Sequence, residues 1–91
     1  MTVTSVKVHA VDVPGRMKAL ATITLDDTFV VHDLRVIEGE KGLFVAMPSK
    51  RGFDGRFRDV AHPVTQELRD MIEAAVLRAY LQAVAARTHV C

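Results

Sequence analysis

Residues 17–37 read MKALATITLDDTFVVHDLRVI, and this stretch decides the fold class. Its first half alternates: Met17, Ala19, Ala21, Ile23 and Leu25 fall on one face, which is typical of a half-buried β-strand. Asp26-Asp27 predicts a tight turn, and residues 29–37 are rich in the β-branched residues that strands favour. The stretch therefore predicts two antiparallel strands joined by a short turn.

The flanking residues extend this pair into a meander. Residues 3–11 alternate in the same way and predict a first strand, which Pro14-Gly15 would end with a turn. Residues 43–47 form a short apolar run, which indicates a strand covered on both faces, by a helix and by a second subunit. We expect a loop over residues 49–56, then a short fifth strand over residues 57–61.

The last third of the chain changes from a period of two to the helical period. Apolar residues recur at helical spacing from Leu68 to Val84, and Thr65 is a suitable N-cap, so a helix is predicted over residues 66–87. A helix of about 22 residues is about 33 Å long, whereas five paired strands are only about 20–25 Å wide. Leu77 and Leu81 lie outside the main apolar stripe, so the helix has more apolar surface than one sheet can cover.

Length and composition predict one domain over residues 1–91, with an α+β fold. The fold has an antiparallel sheet of four to five strands at about residues 3–61 and one long C-terminal helix. So short a chain builds a modest core, and the surplus apolar surface predicts a homodimer. The expected dimer interface comprises Leu43, Val45, Leu77 and Leu81.

Cysteine content and hydropathy bear on the compartment. The single cysteine, Cys91, excludes an internal disulfide and favours a reducing compartment. No segment has the roughly 18 consecutive apolar residues of a membrane span, and residues 1–10 do not resemble a signal peptide. We therefore expect a cytoplasmic protein without membrane contact.

Catalytic and metal-binding patterns are weak. His32-Asp33 and Asp59 with His62 supply ligand types for a metal, but adjacent strand residues point to opposite faces, so a structural role is favoured. Ser49 has no recognisable base, and the sequence contains no glycine-rich nucleotide-binding motif. The sequence predicts no metal site, no cofactor and no enzymatic activity.

A basic loop is the strongest local signal. Lys50, Arg51, Arg56 and Arg58 fall within nine positions although the net charge of the chain is only +1. Such cations neutralise phosphates, and Phe53, between two glycines, could stack on a base. The alternative is an ordinary solvated loop, with Phe53 folded back onto the protein.

Four segments carry a resemblance to a known family. They are residues 15–19 (GRMKA), 29–37 (FVVHDLRVI), 42–51 (GLFVAMPSKR) and 54–63 (DGRFRDVAHP). In this order they resemble the SpoVG family of bacterial stage V sporulation, or septation, proteins, over about residues 3–82.

The resemblance implies a small, non-catalytic dimeric regulator of septation and sporulation that binds DNA or RNA. It assigns nucleic-acid contacts to Lys50 and Arg51, and sequence preference to the helix start, where Gln66 and Arg69 can donate to base edges. Arg56 and Arg58 are added from charge and proximity. Gly52-Phe53 and Arg56 depart from the usual pattern, so target preference does not carry over. The alternative function is a protein–protein adaptor of the division machinery.

Overall fold

A computed structural model describes residues 1–11 and 15–88, with side chains up to Ala85. Pro14 of the predicted first turn, the Arg87 side chain and Cys91 lie outside these described residues. The elements are β1 (Val3–Ala10), β2 (Met17–Leu25), β3 (Phe29–Gly39), β4 (Gly42–Ala46), β5 (Ser49–Arg51), β6 (Phe57–Asp59) and α1 (Gln66–Thr88). The predicted α+β fold class is confirmed.

The first four strands form one antiparallel sheet in the order β1-β2-β3-β4, which is the predicted meander. The turn between β2 and β3 has positive φ at both central residues, 51° at Asp26 and 53° at Asp27. This is the mirror-image turn whose twist matches paired strands, and the Thr28 N–H closes it on the Leu25 carbonyl at 2.9 Å. The adjacent aspartates therefore form the tight turn that the sequence predicts.

The core lies between one face of this sheet and α1. The alternating residues of β2 supply its centre, and β3, β4 and the helix complete it. The buried apolar residues are Ala19, Ala21, Ile23, Leu25, Leu34, Val36, Val45, Met47, Ile72 and Val76. The helix covers this face, and no other helix or strand of the described residues lies across the opposite face of the sheet, here called the outer face.

Helix α1 begins where Thr65 caps it: the Thr65 hydroxyl accepts a hydrogen bond from the Leu68 backbone N–H at 3.2 Å. The predicted bounds of 66–87 agree with the observed Gln66–Thr88 within one residue. In the described part of the chain, no helix is long and apolar enough to cross a membrane.

Two details differ from the sequence-based expectation. Ser49–Arg51, predicted as loop, is a strand, and it pairs with β6 in a separate two-stranded sheet. The fifth strand predicted over residues 57–61 is therefore short (Phe57–Asp59) and belongs to this hairpin, not to the main sheet. Three-residue strands are too short to show a period, so only pairing reveals them.

The strand at residues 43–47 was expected to be covered on both faces. Within residues 1–11 and 15–88 only one face is covered: Val45 and Met47 are buried in the core, while Phe44 on the outer face is 43% exposed. The second cover, which the sequence assigned to another subunit, would have to lie on that outer face.

Candidate nucleic-acid interface

The basic segment forms a β-hairpin from β5 and β6. Lys50 pairs with Arg58, and Arg51 pairs with Phe57. The Gly52 N–H donates to the Arg56 carbonyl at 2.8 Å and so closes the tip. Gly55, with φ of 81°, supplies a left-handed conformation that other residues rarely adopt. The segment therefore has a defined backbone that holds its cations in fixed register.

Asp54 orders the tip of the hairpin. One carboxylate oxygen accepts the Arg56 backbone N–H at 3.1 Å, and the other accepts the Arg58 guanidinium at 2.9 Å. The first contact resembles the local side-chain turns that aspartate favours. The second is an ion pair that neutralises one of the four predicted cations.

Three cations of the hairpin remain uncompensated. Among the described residues, Lys50, Arg51 and Arg56 have no carboxylate oxygen within ion-pair distance. Because side chains alternate along a strand, Lys50 and Arg58 share one face of the hairpin and Arg51 shares the other with Phe57. The structure thus brings the predicted basic residues together on one hairpin, but divides them between its two faces.

Phe53 lies at the tip and is fully exposed. Of the two alternatives that the sequence left open, the structure shows the ring offered to solvent and not folded back. A groove of about 510 Å³ beside it is lined by Lys50, Arg51, Arg58 and Phe53, and also by one carboxylate, Asp59. An aromatic ring beside cations is the combination that single-stranded nucleic acid contacts through bases and phosphates.

The helix start does not join this hairpin. Gln66 donates its side-chain amide to Asp70 at 2.8 Å, one turn further along α1, and Arg69 is half-buried. Within the described residues, no Cα atom of α1 lies within 8 Å of one in β5 or β6. Gln66 and Arg69 are therefore separate from the basic hairpin in the single chain.

The four residues predicted for a dimer interface have different environments. Val45 is 3% exposed in the core of the chain itself, so it offers no surface to a partner in this arrangement. Leu43 and Leu77 are half-buried and pack against the same core. Leu81 is 57% exposed and is the member of the set that is available for contact with another molecule.

The histidine–carboxylate pairs form no ligand cluster. Within residues 1–11 and 15–88, no group of three histidine, cysteine, aspartate or glutamate side chains is arranged to hold a metal ion. His32 and Asp33 do not simply alternate, because β3 has a bulge there: both lie opposite Thr22, and Asp33 has φ of 67°. The Thr22 hydroxyl and His32 Nδ1 are 3.4 Å apart.

Sequence reasoning missed a second set of basic residues, on the outer face of the sheet. Lys7 and His9 on β1 are exposed there, and His32 and Arg35 follow on β3. Arg35 donates to the Ser49 hydroxyl at 2.8 Å, which connects this face to the base of the hairpin. The signal was present in the alternation of β1, whose basic residues fall on the face opposite its valines.

Comparison with known proteins places the chain in a family. The SpoVG family profile matches residues 1–82. An Exiguobacterium protein named "Putative septation protein SpoVG" is 64% identical over 80 residues, covering 88% of this chain and 81% of the relative. A Heliobacterium modesticaldum protein of the same name is 53% identical over 85 residues, covering 93% of this chain and 96% of the relative. With the profile and both relatives spanning nearly the whole domain, the chain belongs to the SpoVG family.

Proposed function

We propose that the protein is a non-enzymatic regulator that binds DNA or RNA through the β5–β6 hairpin. The observation that carries the proposal is the combination of three uncompensated cations with a fully exposed Phe53 on one ordered hairpin. Cations that contact phosphates release counterions, which gives affinity for nucleic acid, and an exposed ring adds stacking energy. The names of the relatives link the family to septation, so the regulated process would be cell division.

The cations and the aromatic ring of the hairpin would contribute to binding in different ways. Lys50 and Arg51 would contact phosphates, which position a protein on nucleic acid without reading its sequence. Phe53 would contact bases by stacking. Removing the cations should therefore weaken binding to all sequences about equally. Replacing the Phe53 ring should weaken binding to single strands more than binding to duplexes.

The test is the double substitution Lys50→Ala with Arg51→Ala. We expect it to lower affinity for an unselected oligonucleotide at least about tenfold, which is about 1.4 kcal/mol. Fluorescence anisotropy at fixed salt gives the affinity, and a thermal melt shows whether the fold is kept. Lys41→Ala with Arg78→Ala removes the same charge from the β3–β4 turn and from the helix, and should bind within about twofold of the parent.

Salt dependence distinguishes this function from that of a protein–protein adaptor. The slope of log affinity against log salt should fall by roughly one for each phosphate contact that is lost. Unchanged affinity and slope in the Lys50→Ala, Arg51→Ala variant would refute the proposal, and would favour an adaptor that uses the hairpin on an acidic protein surface.

A further inference from the structure

The outer face of the sheet carries a cluster of basic side chains that the hairpin does not include. We infer that this face is a second binding surface for the same nucleic acid, and that it takes the sugar–phosphate backbone of a single strand. The inference rests on the proposed function and extends it from the hairpin to the sheet.

Strand register places the basic side chains in two adjacent rows. The first row runs from Lys7 on β1 to its partner Thr22 on β2, and then to His32 on β3, which contacts Thr22. The second row runs from His9 on β1 to its partner Leu20 on β2, and then to Arg35 on β3. Neighbouring strands are about 4.8 Å apart, and alternate residues on one strand are about 6.6 Å apart. Four side chains that are or can become cationic therefore lie on one small area of the face.

The charge on this area is not cancelled by β1 or β2, because neither strand contains an aspartate or a glutamate. Lys7, His9, His32 and three hydroxyl-bearing residues line a depression of about 400 Å³, to which Val30 adds one apolar side chain. Hydroxyls and cations without carboxylates are suited to phosphate oxygens, which only accept hydrogen bonds.

Other charged groups facing the two histidines are few. They are Lys7 on β1, Arg35 on β3, and Asp33, which is next to His32 in the bulge. Lys18 on β2 forms an ion pair with Glu38, with 3.6 Å between Nζ and the carboxylate. Histidine side chains gain charge as the pH falls between about 8 and 5, so binding to this face should strengthen in that direction.

A stacking surface lies at the β4 edge of the same face. Phe44 pairs with Ile37 and is 43% exposed. A Cβ placed on Gly39 would stand 3.0 Å from the Phe44 ring, so the ring lies close against the bare backbone of β3. A ring held on one side and open on the other can receive a base by stacking, as aromatic residues do on the open sheets of single-strand-binding proteins.

The face is continuous with the hairpin. The hydrogen bond from Arg35 to Ser49 joins the centre of the sheet to the first residue of β5, and Lys50 follows directly. A groove of about 390 Å³ runs between them, lined by Leu20, His32, Asp33, Arg35, Ser49 and Val60 among others, so that one carboxylate lies beside its cations. A flexible single strand could follow this path from hairpin to sheet, whereas a stiff duplex would contact the two surfaces less completely.

The experiment measures binding of a labelled single strand of about 16 nucleotides and of its duplex, at about pH 6 and about pH 8 and constant ionic strength. The double variant His9→Gln with His32→Gln should bind the single strand about fivefold more weakly than the parent at the lower pH. At the higher pH its affinity should stay within about twofold of the parent's. Lys7→Ala should weaken single-strand binding about threefold at both pH values, and the control Lys41→Ala should leave it unchanged.

Each result has a distinct meaning. If the histidine variant keeps the parent's pH dependence, or if Lys7→Ala matches Lys41→Ala, the inference is overturned while the hairpin proposal stands. If face variants weaken binding but Lys50→Ala with Arg51→Ala does not, the face is the binding surface and the hairpin proposal fails. A parent that binds neither oligonucleotide refutes both.

A second readout does not depend on nucleic acid. Addition of inorganic tripolyphosphate should shift the imidazole NMR signals of His9 and His32 and leave those of His62, which lies beside Pro63, unchanged. No shift would contradict an anion-binding face. Loss of self-association in the face variants, with nucleic-acid binding unchanged, would assign the face to a second copy of the chain and overturn the inference.

Discussion

Lys50 and Arg58 occupy directly paired positions across the β5–β6 hairpin, so two cations stand side by side on one face. Like charges in such pairs repel each other. Asp54 reduces the repulsion, because its carboxylate lies 2.9 Å from the Arg58 guanidinium while it also accepts the Arg56 N–H. One aspartate therefore shapes the tip and lowers the positive charge that the hairpin presents.

Asp54→Asn should separate these two roles. The amide oxygen can still accept the Arg56 N–H, but Arg58 loses its ion pair and becomes available to phosphate. We expect affinity for nucleic acid to rise about two- to threefold and the salt slope to steepen by up to about one. Anisotropy titrations at several salt concentrations give both quantities.

The matched control is Glu40→Gln, which removes the same charge at the exposed β3–β4 turn. If both substitutions raise affinity equally, the effect is one of net charge alone and the arrangement around Asp54 has no special part in it.

Leu34→Ala should be strongly destabilising. Leu34 is 0% exposed between the sheet and the helix, so truncation removes buried contacts and leaves a cavity. The free energy of unfolding should fall by about 2–5 kcal/mol, as measured by urea denaturation. Val64→Ala, at a position that is 90% exposed, should change it by less than about 0.5 kcal/mol. Similar values for the two variants would contradict the assignment of the core.

The cap of α1 gives a smaller effect with a clear mechanism. Thr65→Ala removes the hydroxyl that accepts the Leu68 N–H, so the free energy of unfolding should fall by about 1 kcal/mol. Thr65→Ser keeps that hydroxyl and should remain within a few tenths of a kcal/mol of the parent. A serine variant as unstable as the alanine variant would show that the threonine methyl group, and not the cap, is responsible.

The turn between β2 and β3 can be improved. Asp27 has φ of 53°, and its backbone N–H donates to the Thr4 hydroxyl at 3.0 Å, a contact that side-chain replacement leaves in place. Asp27→Gly should raise the free energy of unfolding by about 0.5 kcal/mol, because glycine adopts this conformation without strain. Asp27→Val should lower it by about 1–2 kcal/mol. Thermal melts of the pair should therefore move in opposite directions.

Much of this fold follows from local patterns in the sequence. The alternation in residues 17–25 fixes the inward face of β2, Asp26-Asp27 fixes the turn, and Thr65 marks the start of the helix. Each of these signals lies within a few residues of the element that it specifies, so no tertiary information is needed to read it.

The candidate site was less predictable because its geometry depends on pairing between distant residues. The division of the cations between two faces of the hairpin follows from the register of β5 against β6, and a three-residue strand gives no periodic signal. The basic cluster on the outer face depends on the alignment of β1, β2 and β3, including the bulge at Asp33. Composition alone showed only that the net charge is small.

Self-association remains a prediction, and the structure identifies the substitution that tests it most directly. Leu77 packs partly against the core, so a charge there would destabilise the single chain as well as any interface. Leu81, 57% exposed on the same helix, can carry a charge without disturbing the core. Identical subunits usually associate about a two-fold axis, where one exposed leucine contributes twice.

Leu81→Glu should therefore convert a dimer into a monomer. Light scattering at micromolar concentration should give about twice the 10.0 kDa chain mass for the parent, and one chain mass for the variant. Gln82→Glu adds the same charge at the next, exposed position, which lies about 100° further around the helix, and should leave the mass unchanged. If the parent protein is a monomer, the dimer prediction is wrong. A dimer that persists in Leu81→Glu would place the interface away from this part of α1, and the open outer face with Phe44 would then be the next surface to test.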